Sequence, residues 1–245
     1  MRAKGTRDVS RPVPGEAGSF AGFGPRDLPF LKALAFHQDK GWFEENRALW
    51  EDDVKAPFGR LLADLTARCA EVGLPLRGNA RSSLFRLHRD TRFGADKRPF
   101  KTNAGAVLSR DGTKRAPGFL YVHVDPAGCF VAAGFYRPEP DEMAAIRQHI
   151  VRKPASYRAV ATELDRTGLA LSSPETLARL PRAFTDVTEA DIAEAVRRKS
   201  HLVREPIPDA ALGGPELVPR LVAFARRAEP LLRFGWRALD EREPA

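Results

Sequence analysis

The stretch between residues 119 and 136 constrains the fold of this 245-residue chain more than any other. Apolar and polar side chains alternate at residues 119–125, the pattern of a β-strand with one buried and one exposed face. A Pro-Ala-Gly turn follows, and residues 129–136 are expected to return as the neighbouring strand. Gly134 and the alanines beside it indicate that another element packs closely on that second strand. The centre of the sequence therefore predicts a β-hairpin.

Further strands are expected on the amino-terminal side of this hairpin. Residues 83–88 are expected to form a strand with one solvent-facing side, because Phe85 and Leu87 alternate with Arg86 and His88. Residues 103–109 are expected to form another strand, closed by a turn at Asp111 and Gly112.

Two stripes of apolar side chains with helical spacing precede these strands. Pro57 lies inside the second stripe and is expected to kink or split that helix. The second helix can begin at Asp39 or Gly41. This start would place Glu44 and Glu45 in the first turn, where carboxylates interact favourably with the helix dipole.

Helical spacing returns after the hairpin. Residues 199–214 contain Pro206 and Pro208 and are predicted to be irregular. The last helical region, residues 215–242, is expected to be broken in two by Pro230. The other helices are expected at residues 140–153, 154–167 and 188–198.

The order of these elements sets the fold class. Helices come first, strands next and helices last, with no regular alternation of strand and helix. This order predicts an α+β fold with an antiparallel β-sheet core flanked by N-terminal and C-terminal helices. Residues 1–20 are rich in Gly, Pro, Ser and Arg without periodicity and are predicted to be a disordered basic tail. Residues 21–242 are expected to form a single α+β domain.

Residues 81–102 carry the densest charge of the chain. They contain seven Lys or Arg residues and two acidic residues, a local net charge of +5, while the whole chain has a net charge of +8. Apolar residues, namely Phe85, Phe93, Pro99 and Phe100, lie among these charges. A solvated charge run rarely contains so much apolar material, so we expect a folded, partly buried ionic segment.

This segment is the candidate site for an anion. Arginine forks match phosphate and carboxylate geometry, and basic residues three or four positions apart can converge on one anion through local turns. Asp90 and Asp96 can orient the arginines. Tyr121 and His123 face the exposed side of the predicted strand and can act as hydroxyl donor and general acid or base. The expected ligand-binding residues are Arg86, Arg89, Asp90, Arg92, Asp96, Lys97, Lys101, Tyr121 and His123.

Our leading hypothesis is a protein that binds a phosphate- or carboxylate-bearing small molecule at residues 86–102, as a binding protein or as an enzyme. A nucleic-acid-binding module is the first alternative, suggested by the net charge of +8 but by no recognisable motif. The second is a structural or interaction protein in which the Arg and Asp side chains form a network that stabilises the fold. His123 and Tyr121 would then be ordinary structural residues.

Several chemistries have no sequence signature here. The GxxxxGK[ST], GxGxxG, HExxH and GxSxG patterns are absent, so we expect no bound cofactor and no metal. Cys69 and Cys129 form no CxxC pair, which fits a reducing cytoplasm. Residues 1–19 lack the apolar segment of a secretory signal, and no run of 18 apolar residues occurs. We therefore expect a cytoplasmic protein without membrane association.

The sequence resembles the bacterial and fungal family catalogued as domain of unknown function 2461, over about residues 23–239. The resemblance implies an intracellular α+β protein and carries no established activity. It rests on the order of the elements and on several short motifs, of which the basic segment is the most specific. The matching residues are Phe23-Gly24-Pro25, Trp42-Phe43-Glu44, Arg86, Arg89-Asp90-Thr91-Arg92-Phe93, Asp96-Lys97, Pro99, Lys101-Thr102, Gly118 to His123 and Gly134-Phe135-Tyr136.

Two positions depart from the family pattern. Phe100 stands where the family usually has tyrosine, and Ala183 where it usually has glycine. A phenylalanine at position 100 indicates that the ring packs and that its hydroxyl is dispensable.

Overall fold

The computed structural model of the chain describes residues 19–90, 92 and 97–242. Helices are followed by an antiparallel sheet and further helices, so the fold is α+β, as predicted. The predicted tail lies outside the described residues up to residue 18. Its last residue, Phe20, is buried and packs edge-on against Phe23, with ring centroids 5.3 Å apart. Residue 20 of the predicted tail is therefore part of the hydrophobic core.

The sheet has four antiparallel strands in the described residues, and their order in space follows the sequence. The strands are β1 (Ala104–Ser109), β2 (Phe119–Val124), β3 (Cys129–Tyr136) and β4 (Ser200–Ile207). One row of paired residues crosses the whole sheet from Val107 through Tyr121 and Ala132 to Arg204. Because neighbours in such a row point to the same face, the row brings residues distant in sequence onto one surface.

The helices lie around this sheet. They are α1 (Asp27–Phe36), α2 (Lys40–Glu45), α3 (Arg47–Leu49), α4 (Ala56–Glu71), α5 (Pro140–Arg152), α6 (Pro154–Arg166), α7 (Ala190–Arg197) and α8 (Leu217–Asp240). A π-helical segment, Trp50–Lys55, joins α3 to α4 just before Pro57. The sequence predicted a kink or split there. A proline cannot donate to the carbonyl four residues earlier, and the wider π turn carries the chain across it.

The α2 helix is shorter than its acidic residues suggested. Asp39 caps it, accepting a hydrogen bond of 3.0 Å from the backbone N–H of Trp42. The helix ends at Glu45, so Glu44 and Glu45 lie in its last turn and not in its first. The expected interaction with the helix dipole is therefore wrong, and Glu44 pairs with Arg47 instead.

The inner face of the sheet is sealed by α8. Leu120, Val122 and Val124 of β2 have no exposed surface, and α8 packs across this side against β3. A Cβ atom built at Gly235 of α8 would lie 2.2 Å from the ring of Phe135 of β3. Only glycine allows the helix and the strand to approach this closely.

Residues 200–207, which were predicted to be irregular, form β4. The prediction is wrong because a proline need not end a strand. A proline has no backbone N–H to donate to a neighbouring strand. In an edge strand, the proline nitrogen can lie on the side that has no neighbouring strand, so no hydrogen bond is lost. β4 is such an edge, and its pairing with β3 is continuous on both sides of Pro206.

The α8 helix runs without a break through Pro230, which was predicted to divide it. A proline inside a helix costs about 3 kcal/mol. Apolar side chains on both sides of it are fully buried, including Phe224 and Leu232. Each such side chain contributes about 1.5–3 kcal/mol when buried, so the packed face outweighs the local cost.

Residues 83–88 are extended but do not form a strand of the sheet. Leu84 and His88 make isolated bridges to Ala106 and Phe100, respectively. The predicted alternation is present at residues 86–88, where Leu87 is buried and Arg86 and His88 are exposed, but Leu84 is buried as well. Phe100 is buried against other rings, as its departure from the family pattern indicated.

On the inner face of β4, His201 is buried without a hydrogen-bond partner for either ring nitrogen among the described residues. Burial lowers the pKa of His201 to about 3, and the positive charges of Arg198 and Arg147 add to this effect. The imidazole is therefore neutral in the folded protein at neutral pH.

This neutral imidazole should make stability depend on pH. The unfolded chain takes up a proton at His201 as the pH falls through about 6.5, whereas the folded chain does not until about pH 3. The free energy of unfolding should therefore fall by about 2 kcal/mol between pH 7 and pH 5 from this residue alone. Urea denaturation at both pH values, for the wild type and His201→Gln, measures this contribution. If both proteins lost the same free energy between pH 7 and pH 5, His201 would not be the cause.

Candidate functional site

A cavity of about 880 Å³ lies on the face of the sheet that points away from α8. Its floor contains Tyr121 of β2, Ala132 of β3 and Arg204 of β4, which belong to the row of residues that crosses the sheet. One wall includes Phe85, whose backbone N–H donates to a carbonyl of β1. The opposite wall is the segment 172–174, which is bridged to β4. The cavity is thus a trough between the two edges of the sheet.

Three cationic side chains line this cavity. The Lys101 and Lys114 ammonium groups lie 5.4 and 5.9 Å from the centre of the Phe85 ring. The Arg204 guanidinium group lies 4.4 Å from the centre of the Phe130 ring. Among the residues that the structure describes, no carboxylate forms an ion pair with any of the three cations. Their positive charge is therefore not neutralised within the described part of the chain.

The charges of this cluster act on one another. Burial lowers the pKa of Lys101, and the nearby positive charges of Arg86, Arg89 and Lys114 lower it further. Burial also lowers the pKa of Lys114, with a further contribution from Arg86. Burial and the neighbouring positive charges thus lower the pKa values of both lysines in the wall that contains Phe85.

The loop that carries Lys114 is held from the other side of the sheet. The indole N–H of Trp236, in α8, donates a hydrogen bond of 3.1 Å to the carbonyl of Pro117. The Lys114 ammonium group itself donates to the carbonyl of Leu84 at 2.9 Å. These two contacts fix the lysine in the wall of the cavity.

Tyr121, His123 and Asp125 follow one another along the outward side of β2 and the residue after it. The Tyr121 hydroxyl lies 2.8 Å from His123 Nδ1, and Asp125 Oδ2 lies 3.6 Å from His123 Nε2. The carboxylate favours the tautomer with its proton on Nε2, so that Nδ1 accepts a hydrogen bond from the tyrosine. Asn103 Nδ2 also lies 3.4 Å from the same nitrogen.

Burial determines the protonation states of Tyr121 and His123. It lowers the pKa of His123, against the opposing effect of Asp125, and it raises the pKa of Tyr121 to about 12. At neutral pH the imidazole is therefore neutral and the phenol keeps its proton. The pair can accept a proton at the imidazole and donate one from the hydroxyl.

The position of the Tyr121 side chain depends on Gly105 of β1, which is paired with His123 of β2. A Cβ atom at Gly105 would lie 2.5 Å from the Tyr121 hydroxyl and 2.8 Å from its ring. A side chain there would displace the phenol. The glycine therefore provides the space in which the tyrosine meets the histidine.

The structure separates the residues predicted to form the site. Lys101, Tyr121 and His123 line the cavity. Arg86 and Arg89 do not line it but act on Lys101 through their charge. Asp90, Arg92 and Lys97 do not line it. Asp90 and Arg92 pair with each other at 2.7 Å on the surface, Lys97 is exposed, and Asp96 lies outside the described residues.

Lys114 and Arg204 were missed by the sequence reasoning. Lys114 lies in a loop without periodicity, so nothing in the sequence singled it out. Arg204 could have been found, because His201 and Val203 alternate with Leu202 and Arg204 in the pattern of a strand. The proline at position 206 concealed that pattern.

Two further properties concern the described part of the chain. It contains no group of three or more His, Cys, Asp or Glu side chains arranged to hold a metal ion. None of its helices combines the length and the apolar character needed to cross a lipid bilayer.

Comparison with known proteins gave one match. Neither a search of curated proteins nor a search of solved structures found a significant relative. A family model described as "Conserved hypothetical protein (DUF2461)" matches residues 26–234, a span that includes both the sheet and the cavity. The match agrees with the resemblance found in the sequence motifs, and the chain belongs to this family of conserved hypothetical proteins.

Proposed function

We propose that the protein binds a small anionic molecule, with a phosphate or carboxylate group, in the cavity on the outer face of the sheet. The observation that carries this proposal is the group of three cations, Lys101, Lys114 and Arg204, with no carboxylate paired to them in the described chain. Such cations form strong charge-assisted hydrogen bonds with phosphate and carboxylate oxygens. A bound anion would supply the charge that the cluster lacks.

The shape and lining of the cavity support a ligand with a flat, apolar body. Its volume of about 880 Å³ lies within the range of small-molecule sites, roughly 300–1,000 Å³. The rings of Phe85, Phe119 and Phe130 border it. Aromatic faces stack well on flat ligands, while the cations at the walls would orient the charged end.

Tyr121 and His123 support a role in proton transfer at the same place. The Tyr121 hydroxyl is hydrogen-bonded to a neutral imidazole and borders the cavity. A proton can pass between a ligand group and His123 through this hydroxyl, as general acid–base catalysis requires. The proposal therefore covers both a binding protein and an enzyme.

Binding can be measured by calorimetry with phenyl phosphate and inorganic phosphate as probes. Phenyl phosphate should bind more tightly, because its ring can lie on the aromatic floor. Lys114→Ala and Arg204→Ala should each weaken its binding about tenfold or more, a loss of about 1.4 kcal/mol. Thermal midpoints close to that of the wild type would show that both variants remain folded.

Lys32→Ala is the matched control, because it removes one exposed lysine of α1 outside the cavity. It should leave the affinity for phenyl phosphate unchanged. Wild-type affinity in Arg204→Ala and Lys114→Ala would contradict the proposal. Displacement of phenyl phosphate by duplex DNA would favour a nucleic-acid partner instead. The affinity for the duplex would then fall by about 0.9 log units per contacted phosphate for each tenfold rise in salt.

The role of Gly105 gives a second test of the site. Gly105→Ala should push the Tyr121 ring into the cavity and weaken phenyl phosphate binding about tenfold, while the sheet remains intact. Gly214→Ala is the control, because a Cβ atom there would meet no atom within 4 Å. Calorimetry on both variants measures the effect. Equal affinities in the two variants would show that the position of Tyr121 does not matter for binding.

A further inference from the structure

Lys101 differs from the other two cations of the cavity in its contacts. Lys114 donates to a backbone carbonyl at 2.9 Å, and the Arg204 guanidinium group lies over the ring of Phe130. The Lys101 ammonium group lies near the ring of Phe85. No hydrogen-bond acceptor for it is found in the part of the chain that the structure describes. Lys101 borders the cavity, and among the described residues no acceptor holds the protons of its ammonium group.

We propose that Lys101 is a nucleophilic lysine that forms an imine with a ligand carrying both an anionic group and an aldehyde or ketone. This inference rests on the proposed function, since the cavity must first hold the anionic group. Lys114 and Arg204 bind that group through charge-assisted hydrogen bonds. Lys101 is then free to react with the carbonyl carbon.

The surroundings of Lys101 favour the neutral amine that this chemistry needs. Burial is the largest cause that lowers the pKa of Lys101, and Arg86, Arg89 and Lys114 add positive charge around it. A lysine in an apolar site, or beside another cation, is activated as a nucleophile in this way. The same charges that attract an anion therefore also make Lys101 more reactive.

The reaction balances without an oxidant or a reductant. The lone pair of Lys101 Nζ adds to the carbonyl carbon, and the π electrons of the C=O bond move to oxygen. The oxygen takes up a proton and the nitrogen loses one, giving a carbinolamine. Loss of one water molecule then forms the C=N bond. His123, reached through the Tyr121 hydroxyl, lines the same cavity and can hold the proton that the nitrogen loses.

Pyridoxal 5′-phosphate is a suitable probe because it joins an aldehyde, a flat ring and a phosphate. The full chain is incubated with one equivalent of it and then with sodium cyanoborohydride, whose hydride reduces an imine to a stable secondary amine. Peptide mapping by mass spectrometry locates the label. We expect Lys101 to be labelled at least tenfold faster than the exposed Lys32, and Lys101→Arg to lose this fast labelling.

Lys114→Ala gives a readout that a merely exposed lysine would not show. Removal of this neighbouring charge should raise the pKa of Lys101, so the rate of labelling at Lys101 should rise with pH at higher pH values than in the wild type. An unchanged pH profile in Lys114→Ala, or fast labelling of Lys114 in place of Lys101 in the wild type, would overturn the assignment.

Pyridoxine 5′-phosphate carries the same ring and phosphate but no aldehyde, so it separates binding from reaction. If it binds and Lys101 is labelled no faster than Lys32, the imine inference is wrong while the proposed anion site stands. If it does not bind, the proposed function fails for this class of ligand, and the inference fails with it. Binding together with preferential labelling of Lys101 supports both.

Discussion

The close contact between Gly235 of α8 and Phe135 of β3 decides how the two faces of the sheet are used. It brings the last helix onto the inner face, where the alternate side chains of β2 are fully buried. The outer face is left to short segments from both edges, which border a trough without filling it. The same helix also holds the loop of Lys114 through Trp236 and Pro117. The packing of one face therefore positions a charge on the other.

Local patterns in the sequence predicted the parts of the fold that depend on local physics. The alternation in residues 119–125 identified β2, its buried face and its neighbour β3. The failed predictions at Pro206 and Pro230 have a common cause. A proline acts on one backbone hydrogen bond, and its effect depends on whether that bond is needed and what is buried around it. The edge position of β4 and the burial of α8 depend on tertiary contacts, which a short stretch of sequence does not reveal.

The same distinction applies to the cavity. Lys101, Tyr121 and His123 were predicted from a dense basic segment and from one strand face, and all three line it. Lys114 and Arg204 arrive from a loop and from a distant strand, so only the pairing of strands brings them near. Asp90 and Arg92 show the opposite effect. These residues are two positions apart and pair with each other on the surface, so their opposite charges largely neutralise each other.

The segments that border the cavity also cover the open edges of the sheet. Arg77 and Leu84 bridge to β1, and Ser172 bridges to β4, as isolated pairs. An uncovered edge strand offers unpaired backbone groups to other chains and promotes aggregation. A change in the length of these segments would therefore alter both the cavity and the protection of the sheet edges.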